Sequence, residues 1–258
     1  MPDSHDLFTR LEQLNRVGVS LSREKDLDRL LETILVAAKE ITNADGGTLY
    51  RMTEERTLKF EIMRNDTFNI AMGGTTGVEI PLYPIALYDR DGKPNLSMVA
   101  AYAVLHDQSV NVEDAYAADG FDFSGTRSID SKTGYRSKSF LTIPMKNHEN
   151  EIIGVLQLIN AKDRRTGEII AFSKTDQQLT ESLASQAAIA ITSRLLINHL
   201  QALFESFIKL INAAIDDKSP YTGGHCQRVP TLTMMLAEAV NDTQCGPLKD
   251  FVMTDEDR

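Results

Sequence analysis

Positive charge is scarce in this chain. Twenty-seven Lys and Arg stand against 37 Asp and Glu, a formal net charge of −10 with an isoelectric point of about 5.0. Nonspecific nucleic-acid binding runs on a basic face that displaces counterions from phosphates, so a nucleic-acid polymer is not an expected partner. A local basic patch can still hold a small anion. Cysteine is nearly absent, with Cys226 and Cys245 alone. Two thiols make no disulfide framework and read as reduced, cytosolic side chains. The opening MPDSHDLFTRLEQLNRVGVSLSREKDL is too charged for a signal peptide. No apolar run approaches the roughly 18 residues of a membrane helix. Internal repeats and low-complexity tracts are also missing. A soluble, cytoplasmic chain is the expectation. Its 258 residues, 42% of them hydrophobic, can hold a real core in one large or two modest domains.

What is present begins with helices. Leu7, Leu11, Leu14 and Val17 recur at three- and four-residue steps, and Gly18 and Ser20 interrupt that stripe. A second helix is expected from Asp26 to Thr42, with Leu27, Leu30, Leu31, Ile34, Leu35 and Ala38 on its buried side. NADGG, from Asn43 to Gly47, reads as the turn that ends it. GTLYRM and LKFEIM read as a hairpin, each strand alternating apolar and polar side chains. Asn65 to Gly77 reads as a loop, VEIPLYPI as a short edge strand, and AYAADGFDFSGTRSID as irregular. SFLTIPMKN and EIIGVLQLIN, joined by HEN, form the strongest strand pair and are expected at the centre of an antiparallel sheet.

Proline is missing from Met145 through Ser219. Most of that span reads as one long helix with Ser173 as its N-cap, broken once at most. Leu200, Phe204, Phe207, Ile211 and Ala214 repeat at steps of four and three, a short heptad-like seam that predicts a homodimer. A last helix begins near Gly224, with Pro230 in its first turns, where a missing donor costs little. The Met234–Met235 pair reads as core. The expected domains are an N-terminal helix (1–25), a sensor (26–194), a connecting helix (195–218) and the opening of a further domain (219–258).

IDSKTGYRSKSFLTIPMKNHENEIIGVLQLINAKD carries a specific signature: Asp130, Thr133, Gly134, Tyr135 and Arg136, then Pro144 to Asn147, then Gly154, Val155, Gln157 and Asn160. From Leu27 to Arg194 the chain resembles a GAF domain of the type found in cyclic-nucleotide phosphodiesterases and cyclases. The resemblance implies an α+β fold, an antiparallel sheet flanked by helices with a long exit helix, and a small-ligand pocket on one sheet face. Asn160, Phe172 and Asp176 fall on the Asn-Lys, Phe, Asp-Glu motif of nucleotide-binding members. Ala161 and Gln177 depart from it, leaving Lys162 or Lys174 as the cation for the motif's internal ion pair. By position in the family's lid, Phe121, Asp122, Asp130 and Thr133 are the pocket candidates. Phe121 would stack on a base or serve as core, Asp122 would accept from an exocyclic amine, and Asp130 is either a ligand contact or a helix cap. The ligand would be a cyclic nucleotide or another small molecule. The alternative is a ligand-free dimerisation module.

Lys218, Pro220, Tyr221, Thr222, Gly224, His225, Arg228 and Val229 resemble the opening of the HD-GYP class of metal-dependent phosphohydrolases. That implies a parent phosphodiesterase acting on a cyclic dinucleotide such as cyclic di-GMP, with a divalent metal of Fe or Mn type. His225 would be its first metal ligand. A hydrolytic metal site needs several converging ligands, and only the acidic Asp255, Glu256 and Asp257 follow near the end. The 258 residues are therefore expected to lack a complete catalytic site and any cofactor.

Overall fold

The computed structural model describes residues 4–218 and 224–254. The chain divides into two units, Met1–Leu195 and Leu196–Arg258. The first holds α1 (Ser4–Arg23), α2 (Leu27–Thr42), β1 (Ala44–Met52), β2 (Thr57–Asn65), β3 (Ile70–Gly73) and β4 (Ile85–Ala86). It continues with α3 (Val99–Leu105), β5 (Val110–Val112), α4 (Ser124–Thr133), β6 (Phe140–Lys146), β7 (Ile152–Lys162), β8 (Ile169–Ile170) and the first half of α5 (Lys174–Lys218). The second unit holds the rest of α5 and α6 (His225–Asn241). The strands form one antiparallel sheet in the order β3-β2-β1-β7-β6-β5, with β4 on β2 and β8 on β7. The expected α+β class is what is found, and the β6–β7 pair lies inside the sheet.

One sheet face is sealed by α1, α2 and α5. Leu30, Leu31, Ile34, Leu35, Ala38 and Ile41 of α2 meet Leu141, Ile143 and Met145 of β6, Leu156 and Leu158 of β7, and Leu183, Ala187 and Ile191 of α5. Each such buried side chain is worth about 1.5–3 kcal/mol relative to exposure. The helix ends are set locally. The Asp26 carboxylate accepts from the Arg29 amide at 2.8 Å. Asn43 takes the left-handed conformation at the other end, φ 53°.

Several expectations are corrected. α1 runs unbroken through Gly18 and Ser20. Gly18 packs so closely on Gln186 that a Cβ would sit 2.1 Å from its Oε1, while Leu11 is exposed. NADGG turns only at Asn43, and Ala44 to Gly47 already belong to β1. Gly47 is there for close approach, since a Cβ would meet Leu35 Cδ1 at 2.8 Å and the Gln157 carbonyl at 3.0 Å. The β2 alternation is also broken. Leu49 pairs with Ile62 but Tyr50 pairs with Phe60, so Glu61 is bulged. The bulge sends Ile62 into the helix-side core while Leu58 and Phe60 face the other way. Asn65 to Gly77 ends β2 and then supplies β3 and a 3₁₀ turn, Gly74–Thr76. Of VEIPLYPI only Ile85 joins a strand. The irregular segment yields α4.

α5 is continuous over 45 residues. Ser173 caps it as expected, its Oγ accepting from the Asp176 amide at 3.1 Å while Asp176 accepts from the Ser173 amide at 2.7 Å. An 18-residue window of this helix reaches a mean hydropathy of 1.2 with no more than two charges. By length and composition alone this helix could cross a membrane, which the expectation of no such apolar run did not anticipate. Core helices of soluble proteins pass the same test. Pro230 is the sixth residue of α6, in its second turn, within the first turns as expected.

Two buried ion pairs fasten the first unit. Arg10 of α1 binds the Asp176 carboxylate, with side chains 8% and 11% exposed. Asp45 at the start of β1 accepts from Lys162 at the end of β7, from Tyr135 beyond α4, and from Thr67 in the β2–β3 turn at 2.8 Å. Burial alone would push the Asp45 carboxyl up, but these three donors outweigh it and hold it below its ordinary range.

Arg10→Met should lower unfolding free energy by about 3 kcal/mol, because it strands Asp176 without its cation. Asp176→Asn added to it should recover part of that loss in denaturant titrations. Asp45→Asn should cost about 2 kcal/mol at neutral pH. The Asp45 pKa is lower in the folded state, so its contribution is full above the unfolded value of about 3.9 and is lost as pH falls through the folded value. The gap between wild type and Asp45→Asn should therefore close below about pH 4.

Candidate functional site

The sheet face opposite α2 carries a cavity of about 370 Å³. Small-molecule pockets span about 300–1,000 Å³. Its floor is Thr48 and Tyr50 of β1, Phe60 and Met63 of β2, Gln157 and Ile159 of β7, and Phe140 of β6. Phe60 and Met63 are three residues apart, and the bulge at Glu61 is what lets both face it. Phe68, Ile70, Ile85 and Met98 form the sides. Gly125, Thr126 and Asp130 of α4, with Tyr135 and Ser137 after it, form the roof.

A polar row crosses the floor. Tyr50 donates to Gln157 Oε1 at 3.1 Å, and Gln157 Nε2 donates to Thr142 Oγ1 at 3.0 Å. Burial drives the Tyr50 phenol well above its ordinary pKa, opposed only by its hydrogen bond with Thr48. It stays protonated and serves as a neutral hydrogen-bonding group. β7 comes close enough for this row because Gly154 lacks a side chain, since a Cβ there would lie 2.3 Å from the Tyr50 carbonyl.

The roof is held by two carboxylates. Asp130, 4% exposed, accepts from Tyr116 at 2.7 Å, from the Ser137 amide at 2.7 Å and from Ser137 Oγ at 2.9 Å. Arg136 and Arg127 lie over the Tyr116 ring at 4.6 and 5.8 Å. Tyr135 bonds Asp45, receives Asn65 Nδ2 at 3.3 Å and packs on Phe68 with ring centroids 4.9 Å apart. Burial and then the Asp45 bond push its phenol pKa up. Asn160, fully buried at φ 58°, accepts from the Lys138 amide at 2.7 Å and donates to the Arg136 carbonyl at 2.8 Å. It thereby fixes the segment between roof and β6.

Among the described lining residues, Arg64 is the one cation, and Glu32 engages it. Hydrogen bonding to Thr75 first, and then Arg64, holds Glu32 below its usual pKa against the opposing effect of burial. An anion in the cavity would find the α4 N-terminus. There Asp122 occupies the Ser124 amide at 2.8 Å, while Gly125 and Thr126 line the cavity in the first turn. Helix N-termini favour anions through such amides.

Of the four pocket candidates, Asp130 reaches the cavity wall, with its oxygens already bonded to neighbours. Phe121 instead packs edge-on to Tyr102 at 5.1 Å, outside the lining. Asp122 caps the start of α4, and its pKa is lowered by the Ser124 bonds. Thr133 sits at the other end of α4, 3.5 Å from the Asp130 carbonyl. Asn160, Phe172 and Asp176 are all buried framework residues. The cation of the motif's ion pair is neither lysine considered: Arg10 serves Asp176, and Lys162 serves Asp45. Asp45, Tyr135 and Gln157 are the positions that matter most for the cavity. Tyr135 and Gln157 lay inside the quoted signature, whereas Asp45 was hidden in an expected turn. The backbone of His225 opens α6, but its side chain lies outside the described residues, as do Pro220, Tyr221, Thr222 and Asp255 to Asp257.

The chain is similar to the cGMP-specific 3',5'-cyclic phosphodiesterase of Drosophila sechellia, 26% identical over 195 residues, 73% of this chain and 14% of that protein. It is also similar to the dual 3',5'-cyclic-AMP and -GMP phosphodiesterase 11A of Takifugu rubripes, 29% identical over 173 residues, 67% of this chain and 17% of that protein. The chain thus spans less than a fifth of these relatives. Among solved structures, the GAF domain from a phosphoenolpyruvate-protein phosphotransferase of Coxiella burnetii superposes with a TM-score of 0.55 at 14% identity, covering 75% of this chain and 98% of that one. Free methionine-R-sulfoxide reductase from Neisseria meningitidis, solved with its substrate, gives 0.53 at 15% identity, covering 76% and 96%. At such identities the likeness is one of fold. Residues 26–191 match the GAF domain family, well over half of the sequence, and the chain belongs to that family.

Proposed function

We propose that this chain is the sensing part of a signalling protein, in which the cavity takes a small ligand and α5 carries the response onward. The observation that carries the reading is the cavity: a mostly apolar space with a polar floor and the first turn of a helix, at Gly125 and Thr126, in its roof. A cyclic mononucleotide suits it. Its single phosphate charge would meet the Gly125 and Thr126 amides, its base would lie among Phe60, Phe68 and Met98, and Thr48, Asn65 and Gln157 would read the base edge. The similarity to cyclic-nucleotide phosphodiesterases supports the same ligand class.

The downstream partner in this reading is a metal-dependent phosphohydrolase of HD type, cytoplasmic and bacterial, that hydrolyses a cyclic dinucleotide such as cyclic di-GMP. The KSPYTGGHCQRV stretch supports it, with His225 as the first ligand of a divalent Fe- or Mn-type metal. α5 would pair two chains through Leu200, Phe204, Phe207 and Ile211, all exposed in the chain alone.

A specific observation favours a second reading, a ligand-free interaction module. Asp130, Arg64 and Gln157 already have internal partners. Calorimetry with cAMP, cGMP and cyclic di-GMP separates the two. Binding of a cyclic mononucleotide to the wild type should weaken at least tenfold in Gly125→Trp. A Cβ at that position meets no atom within 4 Å, so a side chain can be added beside the cavity without displacing the backbone, and the melting temperature should be kept. No heat and no bound nucleotide in the wild type would favour the module. For the pairing, sedimentation of Phe204→Glu/Phe207→Glu should give a monomer where the wild type is a dimer.

A further inference from the structure

We propose that α5 carries two overlapping seams for a second copy of this chain, giving the paired helices two packed positions related by a rotation of about 50°. The inference rests on the reading of α5 as a signalling helix in a dimer. Leu200 and Phe207 form a row shared by both seams. The first seam adds Leu196, Leu203 and Leu210, and the second adds Ile197, Phe204 and Ile211. Either set steps by four and three, the 3.5-residue period of a left-handed helix pair. All eight side chains are 40–67% exposed in the chain alone.

Charge placement favours a second copy as the occupant. Between residues 194 and 215 the charged side chains are Arg194, Glu205 and Lys209. Glu205 and Lys209 fall on neither seam nor on the positions that flank it, and Arg194, which flanks the second seam just before its first residue, would face position 189 of the copy, an isoleucine. A parallel copy in register therefore meets no like charge across the contact, whichever seam is used. The two seams also have matched content. One is leucine-rich and shares a single phenylalanine, while the other trades three leucines for two isoleucines and a phenylalanine. Neither set is clearly preferred by apolar area. A few residues upstream, Leu183, Ala187 and Ile191 of the same helix are buried in the first unit. A small change in that packing rotates the helix at its root and selects between the seams. A single stripe offers only association and dissociation, whereas two seams sharing one row offer a switch within a constant dimer.

Disulfide trapping in the whole chain tests this, with Cys226 and Cys245 replaced by serine. Leu210→Cys reports the first seam and Ile211→Cys the second. In an otherwise wild-type background both should cross-link at comparable rates. Leu203→Glu tolerates only the second seam, so cross-linking at 210 should slow at least tenfold while 211 is kept. Phe204→Glu should reverse that pattern. Both variants should remain dimers by sedimentation, with unchanged near-ultraviolet signals from the first unit. A wild-type dimer whose 210:211 ratio is the same in all three backgrounds would overturn the two-seam account and leave the dimer standing. A monomeric wild type would overturn the dimer itself, and with it this inference.

Discussion

The carboxylate of Asp45 is the constraint on which the cavity-bearing half of the structure depends. It is fully buried, and a buried carboxylate is costly unless its oxygens are met by donors. Here the donors come from three separate places: the end of β7, the β2–β3 turn, and the segment after α4. Satisfying one charge therefore closes the sheet at one end and draws the roof of the cavity down onto its side wall. The Tyr135 ring against Phe68 and the Asn65 amide complete that joint. The second carboxylate, Asp130, does the same from inside the roof, through Ser137 and Tyr116. The cavity is thus a space left under a piece of chain that two acids hold in place.

That arrangement explains how a GAF fold can answer a ligand. The opposite sheet face is a continuous apolar core in which α2, α5 and the strands interlock, and such cores resist small displacements. The roof is attached differently, by polar bonds to Asp45, Asp130 and Asn160 over a cavity, with Phe123 packed on Phe140 at its start. Stability is uneven by construction, and the weakly attached element is the one a ligand would touch. β1 and β7 form the common floor, and β7 packs Leu156 and Leu158 toward α5 on its other face. A shift of the floor row of Tyr50, Gln157 and Thr142 has a short path to the exit helix.

Much of this was legible in the sequence, and the exceptions share a cause. α2, the β6–β7 pair and α5 announce themselves through apolar period, and the caps at Asp26 and Ser173 are local. The GAF signature located Tyr135, Gln157 and Asn160, and the sequence motif located Asp176. The cation for Asp176 could not be read because Arg10 is 166 positions away, on a helix placed outside the domain. Asp45 looked like a turn residue because Asn43 and two glycines surround it, yet those glycines serve close packing. The bulge at Glu61 was hidden because Leu58 to Ile62 alternates, the adjacent apolar pair Ile62–Met63 is its one local trace, and only pairing with β1 forces the extra residue. Of the four candidates taken from the lid, only Asp130 lines the cavity. Position in a lid does not tell whether a side chain points down, caps a helix or packs outward.

The central claim is that the cavity roof is a separately held piece, fastened by the Asp45–Tyr135 bond. Amide hydrogen exchange on Tyr135→Phe tests it most directly, since the variant keeps the ring on Phe68 and removes only the phenolic donor. The account predicts exchange at least about tenfold faster across residues 124–137, equivalent to about 1.4 kcal/mol of local stability, with β6 and β7 unchanged. Unaltered exchange in the roof, or equal acceleration throughout the sheet, would contradict it.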